Sequence, residues 1–401
     1  SDATMAALAR APLALARRLP KVELHVHLDG SIQAGSAPAL DASSLGPAAF
    51  GRRVRRRDRS SMSASLKVFD RLVAGLQSAS SLRNAASSVC DQLWREGVVW
   101  AEIRFCPALH TQRGLTPADA LLAVKEGVAA SKLPHSAVIA CALRSMGSGH
   151  AERMVDAALE AGAHGFDVAG NEQDFPLEAA AGAAMRRAAA AGLGVTAHAG
   201  EWPGTGSNVL AALSAGASRI GHGIAVGGDA ALVQAVIEAG ATVECCPTAN
   251  VGSGRAPSFS AHPIAALMRA GVKVSVSCDN LLASGSAETG PATPTGEVCR
   301  LLLPRSGAGP GEGGMGMSPA EVGRALSCGA AAAFGAPEQH RLAAVAALEQ
   351  RGRGPAALAL LSRIRSPGAA RDGPGLGGSV LALAVEALTA DAVSEVEQGG
   401  R

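Results

Sequence analysis

The chain contains no tyrosine, and only 2% of its 401 residues are aromatic. Proteins that bind single-stranded nucleic acid stack bases on aromatic side chains, and membrane proteins carry aromatic belts, so this scarcity argues against both classes. No apolar run is long enough to span a bilayer. The formal net charge is only +2, so there is no global excess of positive charge to attract nucleic acid or an anionic membrane. We expect a soluble protein without a nucleic-acid or membrane partner.

The eight cysteines include no C-x-x-C pair, a spacing typical of many zinc and redox sites. Several lie inside apolar, strand-like runs, which favours buried free thiols in a reducing compartment over a disulfide framework. The first twenty residues are rich in Ala, Leu and Arg but lack a secretory apolar core. They predict a short amphipathic helix in a cytoplasmic protein, and an N-terminal targeting segment stays open as the alternative.

Hydrophobic residues make up 48% of the chain and form short runs that alternate with segments of helical spacing. The runs predicted as strands lie at 22–28, 98–105, 135–144, 164–170, 193–201, 218–223, 241–247 and 272–280. They predict an α/β fold, a (β/α)₈ TIM barrel with additional helices at the N- and C-terminal ends. An open doubly wound sheet is the alternative, although it would not easily use eight parallel strands this regularly. We expect one domain over residues 1–401, with a core at about 20–350 and a flexible Gly/Pro-rich loop at 366–378.

A basic run occupies residues 52–59 and holds six arginines and one acid, Asp58. Two interpretations are open: a patch that binds nucleic acid, or a solvated loop over the mouth of the barrel. The lack of interleaved aromatic residues favours the loop.

Residues 20–31, with the sequence PKVELHVHLDGS, combine a strand pattern with two histidines. Apolar and polar residues alternate here with the period of a β-strand, on which side chains two apart point the same way. His25 and His27 therefore share a face, about 7 Å apart given a rise of ~3.3 Å per residue, which suits a single metal ion. Taken alone, the pair is equally compatible with two incidental histidines on a strand.

Polar residues recur where other predicted strands end, the position at which barrels of this kind keep their working residues. These residues are His25, His27 and Asp29 on strand one, Gly170 on strand four, His198 and Glu201 on strand five, His222 on strand six, and Asp279 and Asn280 on strand eight. Five strand ends converge on one mouth, which favours a functional site over coincidence.

Six motifs occur in order along the chain: PKVELHVHLDGS, GFDVAGNE, VTAHAGE, RIGHG, a Cys-Pro pair followed by HPI (Cys246, Pro247 and His262 to Ile264), and VSVSCDN. Together they resemble the adenosine deaminase family, a branch of the metal-dependent amidohydrolase superfamily. The resemblance covers about residues 20–335. It implies a hydrolase that uses water to remove the C6 amine of a purine.

By this resemblance, four residues would bind one Zn²⁺ ion per chain and leave a position for water: His25, His27, His198 and Asp279. The metal would lower the pKa of that water towards ~7. Asp279 would also accept a hydrogen bond from the water, and His222 would orient it or take its proton. Glu201 would protonate the purine N1, a role for which a raised pKa is expected.

The same resemblance implies four substrate-binding residues: His27, Asp29, Gly170 and Asn280. Gly170 would offer its backbone N–H to the purine N3, and Asp29 would accept the ribose 5′-hydroxyl. The best known members of the family have two consecutive aspartates after strand eight, whereas this chain has Asp279 followed by Asn280. An Asn amide can donate to the purine N7 without needing protonation, so the mechanism stays intact while the preferred aminopurine is left open.

The implied function is zinc-dependent deamination of adenosine and 2′-deoxyadenosine to inosine and ammonia, in purine salvage. One alternative is a deaminase of another 6-aminopurine, such as N6-methyl-AMP, adenine or aminodeoxyfutalosine, and another is a catalytically inactive binding barrel. A phosphate-bearing substrate would need basic residues near Asp29, and that acid favours a hydroxyl there. We expect a small purine nucleoside as the ligand and a monomeric protein.

Five further histidines have no partner at metal-ligand spacing and are interpreted as surface or cap residues: His110, His135, His150, His164 and His340. His262 is expected to be structural, within the HPI turn. Glu102 is a charge in an apolar strand, and it is expected either to pair with Arg104 or to support the site from behind.

Overall fold

The computed structural model describes residues 12–32, 68–177, 179–306, 309, 311–335, 337–352, 354–365 and 380–397. The basic run at 52–59 and the Gly/Pro-rich segment at 366–378 lie outside the described residues.

Eight parallel strands form one sheet in which each strand pairs with the next along the chain. They are β1 (Lys21–His27), β2 (Val98–Phe105), β3 (Ala137–Leu143), β4 (Gly165–Ala169), β5 (Gly194–Ala199), β6 (Arg219–His222), β7 (Thr242–Cys245) and β8 (Lys273–Val276). Every strand overlaps its predicted run, and the predicted (β/α)₈ barrel is confirmed.

The barrel closes between its first and last strands at a single bridge. Val26 pairs in parallel with Asp279. The His27 N–H donates to the Asp279 carbonyl at 2.8 Å, and the Asp279 N–H donates to the His25 carbonyl at 2.9 Å. The seam therefore joins the two segments that carry three of the predicted metal ligands, and closure itself fixes their relative positions.

The strands are apolar because both faces of the sheet are covered, one by the barrel interior and the other by helices. All eight positions of β2 are buried. Five charged residues nevertheless lie fully inside the barrel, at 0–1% exposure: Glu102, Arg104, Asp167, Arg219 and Glu244. Glu102 pairs with Arg219 at 2.6 Å rather than with Arg104. These charges lie beneath the strand ends and support the site described below.

Helices cover the outside of the barrel and continue beyond it. They are α1 (12–18), α2 (Val68–Ala74), α3 (Ala79–Arg95), α4 (Pro117–Ala129), α5 (Ser148–Glu160), α6 (Ala179–Ala190), α7 (Gly206–Ser214), α8 (Ala230–Glu238), α9 (Pro247–Gly252), α10 (Ile264–Arg269), α11 (Pro294–Leu302), α12 (Pro319–Ala332), α13 (Pro337–Arg351), α14 (Pro355–Arg365) and α15 (Val380–Glu397). The last four pack together, and α12 also contacts β8 and β1.

Local sequence signals set several helix starts. Thr116 accepts a hydrogen bond from the Asp119 N–H at 3.1 Å, and Pro117 occupies the first helical position of α4. The sequence patterns do not predict α9, α11 and α14, or a short hairpin of β9 (Gly285–Ser286) and β10 (Gly290–Pro291). Of these, α9 matters for the site, because it begins directly after β7 and carries Asn250.

All eight cysteines are free, and six of them are buried. Within the described residues, no helix is long and apolar enough to cross a membrane.

Candidate active site

Three histidines bring their Nε2 atoms together at the C-terminal end of the barrel. The Nε2 atoms of His25 and His198 lie 3.1 Å apart, as do those of His27 and His198. Asp279 Oδ1 lies 3.6 Å from His27 Nε2 and 3.9 Å from His25 Nε2. The four predicted metal ligands therefore converge in one small region.

This donor set fits a zinc ion. Zinc binds imidazole nitrogen at ~2.0–2.1 Å, so two nitrogens on one tetrahedral ion are about 3.3 Å apart. The 3.1 Å separations between the histidine pairs are close to that spacing. A second grouping, of His25, His222 and Asp279, also has its ligand atoms within 4.8 Å of one another, so distance alone does not decide between the two sets.

Two buried carboxylates hold two of the histidines from below. Glu244 Oε2 accepts a hydrogen bond from His25 Nδ1 at 2.7 Å, and Asp167 Oδ2 lies 3.1 Å from His198 Nδ1. Arg104 joins these carboxylates, with Nη1 3.2 Å from Asp167 and Nη2 2.9 Å from Glu244. Because each histidine uses its Nδ1–H on a carboxylate, its Nε2 lone pair is left for a metal.

Burial favours the neutral imidazoles that metal binding needs. It lowers the pKa of His27 to about 3 and that of His25 well below its ordinary value. For His198, burial is outweighed by the Asp167 carboxylate, which raises the histidine pKa. Burial also opposes ionisation of Asp167, but His198 and Arg104 hold the pKa of that carboxyl well below its usual range. Asp167 is therefore a carboxylate that faces His198.

His222 and Asp279 share an uncommon backbone conformation. Their φ angles are 65° and 64°, and among the described residues no other non-glycine residue has a positive φ. This conformation costs about 1–3 kcal/mol and persists only where the surrounding structure enforces it. His222 is the last residue of β6 and Asp279 lies just beyond β8, so the strain falls where the chain leaves the strands and enters the site.

Glu201 lies beside the histidines in a buried position. Its Oε1 is 3.4 Å from His222 Nε2, whereas its Oε2 is buried and has no hydrogen-bond partner among the described residues. Burial raises the pKa of the Glu201 carboxyl, while Arg255 and His198 oppose the shift. A raised pKa increases the protonated fraction, which is the form able to donate a proton.

Glu172 fixes the backbone on both sides of Glu201. Its Oε2 accepts a hydrogen bond from the Gly200 N–H, and its Oε1 accepts one from the Trp202 N–H, each at 3.0 Å. The buried Glu172 side chain thus fixes the backbone of the two residues that flank Glu201.

A chain of side chains determines which nitrogen of His222 carries its hydrogen. His262 Nδ1 accepts from the Ile264 N–H at 3.3 Å, so His262 donates from Nε2 to Asn250 Oδ1 at 3.1 Å. That contact orients the amide, and Asn250 Nδ2 donates to His222 Nδ1 at 3.1 Å. A neutral His222 therefore carries its hydrogen on Nε2, the nitrogen that faces Glu201.

This tautomer bears on the choice of metal ligands. An imidazole nitrogen that carries a hydrogen has no lone pair for a metal. The contacts of His222 therefore favour the set that contains His27 and His198 over the grouping that contains His222.

A cavity of about 320 Å³ opens above these groups, a volume within the ~300–1,000 Å³ common for small-molecule sites. Eight predicted site residues line it: His27, Asp29, Gly170, His198, Glu201, His222, Asp279 and Asn280. The ninth, His25, is fully buried at the barrel end. The structure therefore brings together every residue that the sequence assigns to the site.

Asp29 and Gly170 both line the cavity wall. Asp29 Oδ1 accepts a hydrogen bond from the adjacent Gly30 N–H at 3.0 Å, and burial raises the pKa of the Asp29 carboxyl to about 6. Gly170 has a φ of +102°, and a Cβ added there would lie 3.6 Å from its nearest neighbour, the Arg144 nitrogen. Backbone conformation, rather than crowding by the protein, requires glycine at position 170.

The Asn280 side chain lies between Ser284 and Gly30 on the cavity wall. Its Nδ2 lies 3.4 Å from Ser284 Oγ, and its Oδ1 is buried without a hydrogen-bond partner among the described residues. Gly30 makes room for this oxygen, since a Cβ at position 30 would lie only 1.6 Å from it. Nδ2 carries two hydrogens, so the one that is not directed at Ser284 is left for a ligand.

Sequence reasoning missed Glu172, Asn250 and Arg255. Glu172 stands in the GFDVAGNE motif and Asn250 between the Cys-Pro pair and HPI, so the motifs mark their segments without assigning them contacts. Arg255 lies in the same stretch as Asn250. Its Nη2 lies 2.6 Å from Glu201 Oε1, and it is the one cation among the described residues that line the cavity.

The prediction that His110 and His150 are surface or cap residues is wrong, because both are buried. His110 Nδ1 lies 2.8 Å from the Leu76 carbonyl oxygen, and His150 Nε2 lies 3.8 Å from Cys106 Sγ. Neither belongs to a metal-type cluster within the described part of the chain.

Comparison with known proteins places this geometry in a family. The family profile described as adenosine deaminase matches residues 20–289. The adenosine deaminase of Enterococcus faecalis is 32% identical over 285 residues, which cover 68% of this chain and 84% of that protein. The adenosine deaminase of Lacticaseibacillus casei is 32% identical over 284 residues, covering 68% and 83%.

Solved structures share the fold at lower identity. An adenine deaminase from Arthrobacter aurescens aligns with a TM-score of 0.69 at 23% identity and covers 83% of this chain and 99% of its own. A zinc-bound amidohydrolase from Burkholderia ambifaria gives 0.70 at 22%, with coverages of 88% and 95%. The N6-methyl-AMP deaminase of Arabidopsis thaliana gives 0.66 at 23%, with 82% and 96%.

The family-profile match extends from β1 to beyond β8, and it includes the segments that carry the nine site residues. The matches to curated relatives, at 32% identity, also support family membership, whereas the solved structures support the fold alone. On them we conclude that the chain is a hydrolase that deaminates a purine amine and belongs to the adenosine deaminase family.

Proposed function

We propose that this protein is a zinc-dependent hydrolase that converts adenosine and 2′-deoxyadenosine to the corresponding inosine nucleosides and ammonia. The observation that carries the proposal is the buried Glu201 carboxyl, whose Oε2 has no partner among the described residues. Glu201 lines the same cavity as His27, His198 and Asp279. An unused proton donor beside a metal-type cluster is the arrangement that hydrolytic deamination requires.

One zinc ion per chain would be held by His25, His27, His198 and Asp279. When bound there, zinc would supply the Lewis acidity that makes water a nucleophile near neutral pH. Two observations support this: the nitrogen and carboxylate donors are of the kind that zinc binds, and the Nε2 atoms of His25 and His27 each lie 3.1 Å from that of His198. Tetrahedral zinc would place its nitrogen ligands ~3.3 Å apart.

Asp279 and His222 would orient and deprotonate the attacking water. The Asp279 carboxylate can accept a proton, whereas the Asn250 contact leaves a neutral His222 with its hydrogen on Nε2. His222 would therefore donate a hydrogen bond to the water oxygen, and Asp279 would take the proton. Ser284, whose hydroxyl donates to Asp279 Oδ2 at 3.1 Å, holds that carboxylate in place.

Glu201 would give the proton that activates the purine ring. Proton transfer from Glu201 to N1 lets C6 accept the water oxygen, because the ring electrons then collapse onto a neutral nitrogen. The C6–N6 bond breaks once the amine has received a second proton, the one taken from water by Asp279. Ammonia leaves, and the remaining proton of the C6 hydroxyl returns to the Glu201 carboxylate as C6 becomes a carbonyl. Both carboxyl groups are thereby restored, and one water is consumed.

The cavity wall favours an uncharged nucleoside over a 5′-nucleotide. Asp29 and Asp70 both line the cavity, and the one cation among its described lining residues, Arg255, already faces Glu201. Two carboxylates would repel a phosphate, whereas Asp29 can accept a hydrogen bond from a ribose hydroxyl. Gly170 would meet the purine N3 through its backbone N–H, and the Asn280 amide would meet N7.

The test is an ultraviolet assay of zinc-replete protein with adenosine, AMP and adenine in parallel, with a chelator arm and a zinc add-back arm. We expect the absorbance change of adenosine to inosine, its loss with chelator and its return with zinc. Turnover of AMP or adenine without turnover of adenosine would contradict the nucleoside assignment. Turnover that survives complete metal removal would contradict the zinc assignment.

A further inference from the structure

We propose that Arg255 is a positioning residue for Glu201 and determines which oxygen of the Glu201 carboxyl carries the transferred proton. This inference rests on the proposed role of Glu201 as proton donor and adds a residue to it. Arg255 lies in the stretch between the Cys-Pro pair and HPI, outside the residues that carry the family resemblance.

The contact itself distinguishes the two carboxyl oxygens. Arg255 Nη2 lies 2.6 Å from Glu201 Oε1, and the two side chains are only 7% and 4% exposed. A guanidinium group has donors and no acceptor, so the oxygen that it faces serves best as the unprotonated acceptor. The contact therefore favours the carboxyl hydrogen on Oε2, the oxygen without a partner among the described residues.

The tautomer of His222 leads to the same assignment. His222 Nε2 lies 3.4 Å from the same Oε1, and the Asn250 contact places a hydrogen on that nitrogen. Oε1 therefore faces two N–H groups, from Arg255 and His222, and Oε2 faces neither.

Arg255 is held in this position by its surroundings. Its backbone N–H donates to the Asn250 carbonyl at 2.9 Å, and its guanidinium lies over the Trp202 ring, 5.0 Å from the ring centre. Trp202 is in turn fixed by Glu172 through its backbone N–H. The same residue, Asn250, thus orients His222 with its side chain and anchors Arg255 with its backbone.

The pair also suits the charge that develops during the reaction. Once Glu201 has given its proton to the purine, it is a buried carboxylate, and a fixed guanidinium at Oε1 stabilises that negative charge where it forms. The benefit of Arg255 is therefore realised as the proton moves, and its removal should lower kcat more than it weakens substrate binding.

The test compares Arg255→Met with Arg300→Met in zinc-loaded protein, with adenosine as substrate. Arg300 is a matched control, because it also lies over an aromatic ring of the same region, Phe259, and its Nη1 donates to the Gly313 carbonyl rather than to Glu201. We expect Arg255→Met to lower kcat about tenfold to a hundredfold, as for loss of one preorganised donor, with KM within about threefold. Arg300→Met should match wild type.

Two further measurements separate positioning from simple structural support. Added guanidinium ion should restore part of the kcat of Arg255→Met and none of that of Glu201→Gln. In the Glu201→Gln background, Arg255→Met should change the residual rate less than about twofold, because residues that act through one another are not additive. If Arg255→Met does not fold, Arg255→Lys replaces it in the same comparison.

The outcomes keep this inference apart from the proposed function. If Glu201→Gln is inactive while Arg255→Met equals Arg300→Met, the positioning role is wrong and the proposed function stands. A rise in KM alone, fully additive with Glu201→Gln, would overturn the positioning role in favour of direct contact with substrate. If the wild-type protein does not convert adenosine, AMP or adenine, the proposed function is wrong, and this inference is wrong as well.

Discussion

Two layers of buried polar residues lie one above the other in this barrel, and they differ in how far the acceptor oxygens of their side chains are satisfied. The floor consists of Arg104, Asp167, Arg219 and Glu244. Both oxygens of each floor carboxylate have partners: Asp167 faces His198, Arg104 and Cys141, and Glu244 faces His25, Arg104, Thr196 and Arg219. The mouth consists of Glu201, His222, Asp279 and Asn280. There, Glu201 Oε2 and Asn280 Oδ1 have no hydrogen-bond partner among the described residues.

The difference indicates what each layer is for. A buried polar atom without a partner costs about 1–3 kcal/mol, so proteins keep few of them. The floor avoids that cost at its carboxylate oxygens, while the Arg104 and Arg219 Nε atoms have no hydrogen-bond partner among the described residues. It orients two histidines. The mouth bears this cost in the free protein, and a bound substrate can supply the missing hydrogen-bond partners. The two strained non-glycine residues, His222 and Asp279, also belong to the mouth.

The largest effect on activity should come from the mouth, at Glu201→Gln. The variant keeps the shape and a hydrogen-bond donor but has no proton to give, so we expect kcat to fall by about 10²–10⁴-fold, the usual worth of a general acid. Zinc content should stay close to that of wild type, because no floor contact is changed. Steady-state kinetics and metal analysis of the same preparation test both statements.

The same variant tests the pH dependence. Wild-type kcat/KM should fall as pH rises through the pKa of Glu201, since only the protonated carboxyl donates, and burial raises that pKa above its ordinary value. Glu201→Gln should lack this decline. An alkaline limb that persists unchanged in Glu201→Gln would assign the titration to another group and contradict the role of Glu201.

The floor should respond in the opposite way, through stability and metal affinity. Glu244→Gln removes the negative charge between Arg104 and Arg219 and weakens the support of His25. Breaking a buried ion pair costs about 3–5 kcal/mol, and loss of a carboxylate behind a metal-binding histidine costs about 10–100-fold in metal affinity. Chemical denaturation and competitive zinc titration measure the two effects.

A matched change at the surface calibrates that result. Glu126 pairs with Arg83, and both side chains are about half exposed. Glu126→Gln should therefore cost less than about 1 kcal/mol. A comparable loss of unfolding free energy in Glu126→Gln and Glu244→Gln would mean that the floor ion pairs contribute no more to stability than a surface ion pair.

Much of the fold and the outline of the site follow from the sequence, because both depend on local patterns. Apolar runs predict the strands, and the rule that barrels work at strand ends places His198, His222 and Asp279 in one mouth. The supporting contacts do not follow, because they join residues far apart in sequence. Glu172 reaches Trp202 and Asn250 reaches His222 across about thirty positions. The orientation of the Asn280 amide depends on the closeness of Gly30, which no pattern encodes.

A smaller effect on rate is expected at Asn250, which lies in neither layer but orients a residue of the mouth. Asn250→Asp replaces the amide donor by an acceptor, so His222 should move its hydrogen from Nε2 to Nδ1 to meet the carboxylate. We expect kcat to fall about tenfold to a hundredfold, as expected for loss of one well-placed donor. Nitrogen-15 NMR of the imidazoles should show the change of tautomer. An unchanged tautomer in Asn250→Asp would contradict the assignment of the His222 hydrogen by the contacts that run from His262 through Asn250. Asn84 is an exposed helical residue, so Asn84→Asp controls for the added charge.

The smallest effect should come from Asn280→Asp, which makes the mouth more like the family pattern of two aspartates. A carboxyl can donate to the purine N7 only when it is protonated, and the neighbouring Asp279 carboxylate favours that protonated form. Near neutral pH we expect a change in kcat/KM of about threefold or less, within the range of one neutral hydrogen bond. The ratio of variant to wild-type kcat/KM should then fall as pH rises, because the aspartate ionises while asparagine does not. A ratio that stays constant with pH would mean that position 280 does not donate to the substrate, and that the unpartnered Oδ1 accepts a hydrogen bond instead.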